Sequence, residues 1–314
     1  MSQPEGPHYA YFEGEIVPFT LAMVSIMNTT FNYGTGAFAG LRGYWNEEEE
    51  ELFVFRPLDH FRRFLDSARL LRFQLDHTPE SLTGALLDLL RAEGWRTNTY
   101  IRPLAYIADN KVGVKLHGMR YAVAIYTLPF GSYVEDEEGV HATISSWRRV
   151  DDNAIPPRGK LIGSYVNSAF IKSDAELSGY DEAIVLNEDG HISEGSAENI
   201  FIVRNGTVLT PPVYGNVLEG ITRRTLMQLM RDELGLSVVE RQIDRSELLL
   251  ADEAFFCGTG VQIAAITRVD HRPIGTGRLG PVAAAIRDLY FRVVSGRVGK
   301  YRAWNTPVYT HIPA

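Results

Sequence analysis

The pattern of apolar and polar residues along the first third of the chain predicts a mixture of strands and helices. Short apolar runs with turn residues at their ends are typical of strands, and apolar residues spaced three and four apart are typical of helices. By these criteria we predict strands at 15–17, 52–55, 100–104 and 121–126, and helices at 57–73 and 80–92.

The helix predicted at 57–73 has an amphipathic pattern. Its apolar stripe is predicted to consist of Leu58, Phe61, Leu65 and Ala68. Asp59 falls in the first turn, where a negative charge is favourable.

The acidic run at 47–51 is predicted to be a solvated loop.

A second set of elements follows residue 160. The pattern predicts helices at 164–178, 222–234 and 281–294, with a strand meander at 183–186, 191–193, 200–203 and 207–209. The dipeptide Asn205-Gly206 is typical of a type I′ hairpin turn between two strands.

Chain length favours two domains. At 314 residues, one hydrophobic core is expected to split into two. The stretch from Gly131 to Gly139 is rich in acids and lacks an apolar period, so we predict a linker at 132–140 between a domain at 1–131 and a domain at 141–314. Clefts between domains are favoured ligand sites.

Composition narrows the function to small-molecule chemistry. A formal charge of -8 and a pI near 5.5 argue against nucleic-acid or membrane-surface partners, which need a basic face. Cys257 is the single cysteine, and no signal peptide or apolar span is evident, so a soluble cytoplasmic protein is expected. The eight histidines show no metal-ligand spacing, and no metal site is predicted.

Two other enzyme classes lack their motifs. No Gly-x-Ser-x-Gly pentapeptide occurs, which argues against a serine hydrolase elbow. The glycines at 34, 36 and 40 miss the dinucleotide-binding spacing by one residue, so that interpretation is discarded.

Lys160 is the candidate covalent catalyst. Of the five lysines, only Lys115 and Lys160 lie among apolar and glycine residues without close acids, and only Lys160 precedes a predicted helix start. A lysine that reacts as a neutral amine needs such a setting, because loss of water disfavours its charged form. Taken alone, Lys160 is also compatible with a surface lysine after a Pro-Pro turn.

Glu194 follows thirty-four residues later, at the end of a predicted strand. A carboxylate there could keep a pyridine nitrogen protonated, since an opposite charge at close range stabilises the charged form. In isolation Ser193-Glu194-Gly195 is equally compatible with a solvated turn. Lys160 and Glu194 together predict the two ends of a pyridoxal phosphate site.

Three features are candidate phosphate ligands. The segment Gly220-Ile221-Thr222 opens a predicted helix, where backbone N–H groups favour an anion, although Thr222 could equally act as a plain N-cap. The turn Gly258-Thr259-Gly260 could bring its backbone close to a phosphate or a carboxylate, or be an ordinary turn. Arg63 is one of several arginines near the first predicted helix, and its guanidinium suits a phosphate dianion.

Taken in order, these segments resemble the fold type IV pyridoxal phosphate enzymes, and specifically the branched-chain amino acid aminotransferases. The resemblance runs from about Tyr11 to Tyr290. Its landmarks are Tyr33 to Arg42, His60 to Phe64, Tyr100 to Leu104, Ser145 to Arg149, the segments around Lys160 and Glu194, Gly220 to Arg223, and Ala251 to Thr259.

The resemblance implies an α/β (α+β) fold with a smaller N-terminal α/β domain and a larger C-terminal pseudo-barrel domain. It implies transamination of leucine, isoleucine and valine with 2-oxoglutarate, and at least a homodimer in which Tyr33 reaches the neighbouring subunit. The residues it implies for the cofactor are Lys160 as the covalent anchor, with Arg63, Tyr165, Glu194, Asn199, Ile221, Thr222 and Thr259. Those it implies for the substrate are Tyr33, Phe38, Gly40, Tyr100, Arg102, Val114, Tyr133 and Gly260.

Two departures from the family pattern bear on specificity. Ala39 stands where the family usually has a glutamate, and Lys111 and Val112 stand where the family usually has glycine and methionine. We therefore keep as alternatives a transaminase of D-amino acids or (R)-amines, and a lyase of the aminodeoxychorismate type, which needs no 2-oxo acid acceptor.

Overall fold

The computed structural model describes residues 6–131 and 139–310. These residues form two compact units. The first comprises residues 6–131, 159–163 and 292–310, and the second comprises residues 139–158 and 164–291. The linker predicted at 132–140 lies mostly outside the described residues, and Tyr133 lies outside them as well.

Both units contain strands and helices. The strands are β1 (Tyr9–Phe12), β2 (Glu15–Pro18), β3 (Ala37–Phe38), β4 (Leu41–Asn46), β5 (Glu51–Phe55), β6 (Thr99–Ile107), β7 (Tyr121–Pro129), β8 (Val140–Arg148), β9 (Glu182–Leu186), β10 (Ile192–Gly195), β11 (Asn199–Arg204), β12 (Thr207–Thr210), β13 (Ser237–Glu240), β14 (Glu253–Gly258), β15 (Gln262–Val269), β16 (Arg272–Pro273) and β17 (Asn305–Pro307). The helices are α1 (Thr29–Tyr33), α2 (Pro57–Leu70), α3 (Pro79–Glu93), α4 (Tyr165–Leu177), α5 (Ile221–Asp232), α6 (Arg245–Leu248) and α7 (Pro281–Val294).

The first unit is built on an antiparallel sheet. Its strand order is β17-β5-β4-β6-β7-β1-β2, and β3 also pairs with β6. Along the long strand β6, Ile101 is fully buried while Tyr100 and Arg102 are half-buried. Because side chains two residues apart lie on the same face of a strand, Tyr100 and Arg102 point to one side of the sheet.

Helix α2 buries Phe61 and Ala68 of the predicted stripe, but its buried face does not include Leu58. Its buried residues are Pro57, His60, Phe61, Phe64, Ser67 and Ala68, whereas Leu58 is 37% exposed. The predicted stripe was therefore wrong for Leu58. The buried face includes a histidine and a serine, which an apolar pattern cannot identify.

The second unit is built on a mixed sheet. Its strand order is β10-β9-β8-β15-β14-β11-β12-β13, with β16 paired to β15. Strand β8 runs parallel to β9 and to β15, and β12 runs parallel to β13. A fully buried apolar cluster that includes Ile184, Ile200 and Phe256 forms its core.

Several local predictions for this unit are confirmed. Asn205 and Gly206 both have positive φ angles, 50° and 74°, as a type I′ turn requires. Helix α7 has the predicted bounds, and α4 and α5 begin within one residue of theirs. Across the described parts of the chain, none of the helices combines the length and the apolar character needed to cross a lipid bilayer.

The acidic run at 47–51 is only partly the solvated loop that was predicted. Residues 47–50 are exposed, but Glu51 begins β5 and is 1% exposed. Its carboxylate accepts hydrogen bonds from the backbone N–H groups of Val308, Tyr309 and Thr310 at 2.8–2.9 Å. A buried carboxylate therefore fixes the end of the described chain against β5.

Replacing Glu51 by glutamine should lower the free energy of unfolding by roughly 1.5–3 kcal/mol, the usual range for hydrogen bonds to a charged group. Burial raises the pKa of the Glu51 carboxyl, but the N–H donors from 308–310 outweigh it, and the net pKa lies below the ordinary value of 4.5. Because the folded-state pKa is depressed, this stabilisation is present above pH 4.5 and is lost as the pH falls through the folded-state pKa. Denaturant unfolding of E51Q at several pH values measures the loss, with exposed E50Q as the control. Equal stability of E51Q and wild type at neutral pH would contradict the assignment.

Candidate active site

In the first unit, residues 159–163 form backbone hydrogen bonds with residues 34–38, which precede β4. We call residues 159–163 the Lys160 segment. The N–H of Phe38 donates to the carbonyl of Lys160 at 3.0 Å. The N–H groups of Ile162 and Gly163 donate to the carbonyls of Gly36 and Gly34 at 2.8 and 3.0 Å. Lys160 and the residues that follow it are therefore held by backbone hydrogen bonds to residues 34–38.

This close approach requires glycine at two positions. A Cβ atom at Gly36 would lie 2.7 Å from the side chains of Ile162 and Thr30, and one at Gly34 would lie 3.0 Å from the Cα of Gly163. Gly34 also has a φ angle of 66°, which residues other than glycine rarely adopt. Gly34 and Gly36, which do not fit a dinucleotide-binding motif, thus allow the close contact with the Lys160 segment.

The hydroxyl of Ser67 links this segment to helix α2. It accepts a hydrogen bond from the Lys160 N–H at 3.0 Å and donates to the carbonyl of Arg63 at 2.8 Å. Ser67 is fully buried. One hydroxyl therefore ties the backbone of the candidate lysine to the backbone of the candidate phosphate-binding arginine. No sequence signal pointed to this serine.

Two basic side chains lie close to the Phe38 ring. The Lys160 Nζ is 5.0 Å from the ring centroid, and the Arg102 guanidinium carbon is 4.6 Å from it. Arg102 also donates to the Tyr100 hydroxyl from Nη2 at 2.7 Å. A Cβ at Gly40 would lie 2.6 Å from that hydroxyl, so glycine makes room for Tyr100. The structure thus brings together five of the predicted residues of this unit.

Tyr33 and Val114 lie on a separate, exposed surface of the first unit. Tyr33 ends helix α1, and its hydroxyl accepts a hydrogen bond from the Gly113 N–H at 3.2 Å. Val114, next in the chain, is 72% exposed. The helix and the loop around 113 are therefore held to each other, and both present apolar side chains to the surface.

In the second unit, Glu194 is the centre of a buried polar network. Its Oε1 atom lies 2.6 Å from Nη2 of Arg149, and the two side chains are 4% and 10% exposed. Its Oε2 atom accepts hydrogen bonds from the Asn199 side-chain amide at 2.9 Å and from the Leu218 N–H at 3.1 Å. Donors reach both oxygens, which favours the ionised carboxylate.

Arg149 is a site residue that the sequence did not reveal. It lies forty-five residues before Glu194, directly after β8, and it belonged to a landmark segment without a role. Strand β8 pairs with β9, and β9 pairs with β10, which carries Glu194. Only this strand order brings the two charges together, so no local pattern could have revealed the pair.

Glu198 lies in the same turn and has a different charge state. Burial, followed by the negative charge of Glu182, raises the pKa of the Glu198 carboxyl to about 8. Its Oε2 atom accepts a hydrogen bond from the Ala197 N–H at 3.0 Å. At neutral pH this carboxyl is mostly protonated, whereas Glu194 is in contact with a cation.

The N-terminus of helix α5 lies beside this network. Gly220 is its N-cap, and no side chain caps the helix. Thr222, 3% exposed, lies inside the first turn, so the interpretation of Thr222 as the N-cap was wrong. A Cβ at Gly220 would lie 2.1 Å from the Asn199 side-chain oxygen, which shows how closely the helix start approaches Asn199. The first-turn N–H groups, Ile221 included, form a favourable setting for an anion.

The remaining predicted residues of the second unit are placed by their strands and helices. The antiparallel register pairs Asn199 with Cys257, so the turn formed by Thr259 and Gly260 follows β14 at the same strand end as Asn199. Tyr165 is the first residue of α4 and is half-buried. The structure thus gathers Glu194, Asn199 and the α5 start at one end of the sheet, near the 259–260 turn.

Comparison with known proteins assigns the chain to a family. The sequence profile described as "Amino-transferase class IV" matches residues 42–269. A probable branched-chain-amino-acid aminotransferase of Aquifex aeolicus is 46% identical over 96% of this chain and 97% of its own length. The branched-chain-amino-acid aminotransferase of Escherichia coli K12 is 37% identical over 94% of this chain and 96% of its own length.

Solved structures agree in fold. The branched-chain aminotransferase from Thermoproteus uzoniensis, solved with norvaline, superposes with a TM-score of 0.93 at 42% identity and covers 97% of this chain and 100% of its own. The branched-chain amino acid aminotransferase from Thermobaculum terrenum, in its PLP (holo) form, gives a TM-score of 0.93 at 40% identity and covers 97% and 99% of the two chains. The predicted fold type IV architecture is confirmed, and the chain belongs to the class IV aminotransferases.

Proposed function

We propose that this aminotransferase uses pyridoxal phosphate to exchange amino groups between branched-chain L-amino acids and 2-oxoglutarate. The observation that carries the proposal is the buried carboxylate of Glu194, held by Arg149, Asn199 and the Leu218 N–H. The names of the relatives and of the solved structures support the choice of branched-chain substrates.

The donor set fits the cofactor. Glu194 offers a carboxylate to the pyridine nitrogen, and Lys160 offers an amine to the aldehyde. For the phosphate, helix α5 offers N–H groups without a competing side-chain cap, and Arg63 offers a guanidinium. When bound, pyridoxal phosphate supplies an electron-accepting ring that stabilises negative charge at the substrate Cα.

Lys160 carries two roles in this proposal. Its amine would hold the cofactor covalently, and the same amine, when free, would act as the base that takes the proton from the substrate Cα. The backbone ladder to 34–38 and the Ser67 hydroxyl fix the Lys160 main chain, so the mobile part of the residue is its side chain. The adjacent Phe38 ring gives the amine an apolar neighbour 5.0 Å away.

Tyr100, Arg102 and Phe38 are the proposed substrate contacts in the first unit. The Phe38 ring offers an apolar surface to a branched side chain. The Arg102 guanidinium, held over that ring and bonded to Tyr100, offers a cation to a carboxylate. A site with an apolar wall and polar groups at its edge accepts both leucine and glutamate side chains, as the two half-reactions require.

The proposal is tested with the purified protein, its K160A variant and the exposed-lysine control K300A. Wild type and K300A are expected to show a visible cofactor band that L-leucine converts to a shorter-wavelength band and that 2-oxoglutarate restores. K160A should lack that band and lose activity by roughly 10²- to 10⁴-fold, the usual contribution of a positioned base.

Other outcomes of this experiment assign the alternatives. A cofactor band that responds only to D-amino acids or (R)-amines would replace the L-specific assignment. Turnover of an amino acid without any 2-oxo acid would favour the lyase. No cofactor band after addition of pyridoxal phosphate to the wild type would refute the proposed chemistry.

Ser67 gives a second prediction about the Lys160 segment. Replacing it by alanine removes the acceptor of the Lys160 N–H, and a buried donor left without its partner costs about 1–3 kcal/mol. S67A should lose that much stability in denaturant unfolding, and its Lys160 amide should exchange hydrogen faster than in wild type. The exposed control S146A should change stability by less than about 0.5 kcal/mol. Unchanged exchange at Lys160 in S67A would show that the hydroxyl does not hold the segment.

We also propose that the protein is a homodimer. The first unit exposes large apolar side chains in two stretches, which hydrogen bonds from Thr29 to the Lys111 carbonyl and from the Gly113 N–H to Tyr33 hold together. The exposed side chains of this surface are Leu21, Met23, Val24, Ile26, Met27, Phe31, Val112 and Val114. Ile26 is 81% exposed and Val112 is 87% exposed. Contiguous apolar surfaces of this kind mark interaction sites in soluble proteins, and the family resemblance points to a second copy of the chain as the partner.

A charge placed in this surface should disrupt the dimer. I26E is expected to shift the protein towards monomers in analytical ultracentrifugation, because an unpartnered charge is costly to bury in an interface. The exposed control L177E, on helix α4 of the second unit, should keep the wild-type assembly. A wild-type assembly in I26E would remove this surface from the proposed interface.

We also propose that the protein is cytoplasmic. Cys257 is a free thiol in the buried core of the second unit, and burial raises its pKa. A single unreacted thiol of this kind is compatible with a reducing compartment.

A further inference from the structure

The Arg149–Glu194 pair is a buried interaction whose two partners are both fixed by other contacts. The main-chain N–H of Arg149 donates to the carbonyl of Leu186 at 3.0 Å. Its Nε donates to the carbonyl of Asn216 at 3.3 Å, and its Nη2 contacts Glu194 Oε1 at 2.6 Å. The guanidinium is therefore held by a carbonyl on one side and by the carboxylate on the other.

The carboxylate of Glu194 is fixed in rotation as well as in charge. Arg149 contacts Oε1, while Asn199 and the Leu218 N–H donate to Oε2. Asn199 is itself oriented, because its side-chain amide also donates to the carbonyl of Leu218 at 2.9 Å. Of the three donors, only Arg149 carries a full positive charge.

From this geometry we propose that Arg149 is a positioning residue of the transamination reaction. It keeps the buried Glu194 carboxylate ionised and in one orientation, so that Glu194 can hold the pyridine nitrogen of the cofactor in its protonated form. This inference rests on the proposed function, since it assigns a role to Arg149 through Glu194 and the cofactor nitrogen.

The direction of the effect follows from the position of the charge. With the cofactor bound, the Glu194 carboxyl and the ring nitrogen would share one proton. When the proton lies on the nitrogen, the carboxylate is negative, and the Arg149 guanidinium in direct contact with it stabilises that state. Without Arg149, a carboxyl in this buried setting favours its neutral form. The proton then stays on Glu194, and the ring becomes a weaker electron acceptor.

The test compares R149M, R149K and the neighbouring control R148M, each loaded with pyridoxal phosphate. Arg148 is exposed, and its Nη1 atom donates to the backbone carbonyls of Ser145 and Ser146 at 3.5 and 3.3 Å, so its loss leaves Glu194 untouched. The primary readout is the NMR chemical shift of the ring nitrogen in isotope-labelled cofactor, which separates the protonated from the neutral ring. The second readout is kcat and KM for L-leucine.

We expect a protonated ring nitrogen in wild type and R148M, and a neutral one in R149M. The kcat of R149M should fall by roughly 10- to 100-fold, which is the range known for residues that orient the ligands of a metal site. Its KM should change little, because Arg149 acts through Glu194 and not on the substrate. R149K, which keeps the charge, should recover part of both readouts. A purely structural role would lower the stability of R149M without changing the ring nitrogen.

A protonated ring nitrogen and wild-type kcat in folded R149M would overturn the inference. If R149M does not fold, the double variant R149M/E194Q is made, because it removes both buried charges. Restored folding in the double variant would show that R149M unfolds because the Glu194 charge is left buried without its partner. In that case R149K decides, since a neutral ring nitrogen in folded R149K overturns the role of the charge.

The two proposals fail in different ways. Wild type that binds no pyridoxal phosphate refutes the proposed function itself. Wild type that binds it and turns over, with R149M indistinguishable from it, refutes only the role of Arg149.

Discussion

The close backbone contact between residues 34–38 and the Lys160 segment is the constraint on which the first unit of this enzyme depends. Residues before and after 159–163 belong to the second unit, yet this short segment joins the first. Backbone N–H donors at Phe38, Ile162 and Gly163 hold it there. A Cβ atom at Gly34 or Gly36 would collide with the segment or its neighbours, so the contact requires glycine at both positions.

From that contact the rest of the first-unit site can be built outward. Lys160 lies beside Phe38, Phe38 is covered by Arg102, and Arg102 is bonded to Tyr100 on the same face of β6. Ser67 then connects the Lys160 backbone to helix α2. Each step is a direct contact between neighbouring residues, so the Lys160 segment, the Phe38 ring and the side chains on β6 form one connected series.

Local patterns predicted the parts of the fold that depend on local interactions. The Asn205-Gly206 turn and helix α7 follow from turn chemistry and apolar spacing, and both appear as predicted. The failures have tertiary causes. Leu58 is exposed because α2 buries a face that contains Ser67, and Glu51 is buried because distant N–H groups at 308–310 satisfy its charge. Polar residues that become buried through partners elsewhere in the chain carry no local signal.

The candidate site shows the same limit at Glu194 and Glu198. Both glutamates belong to one short motif, and the residue types alone do not say which of them is ionised. The resemblance to a family selected Glu194, and the structure supplies the physical reason for an ionised carboxylate there. Arg149 contacts Glu194 directly, whereas loss of solvent, followed by the negative charge of Glu182, raises the pKa of the Glu198 carboxyl to about 8. The order β8-β9-β10 therefore places the Arg149 guanidinium beside Glu194, and the position of this one cation gives the two carboxyls of the motif different preferences for the ionised form.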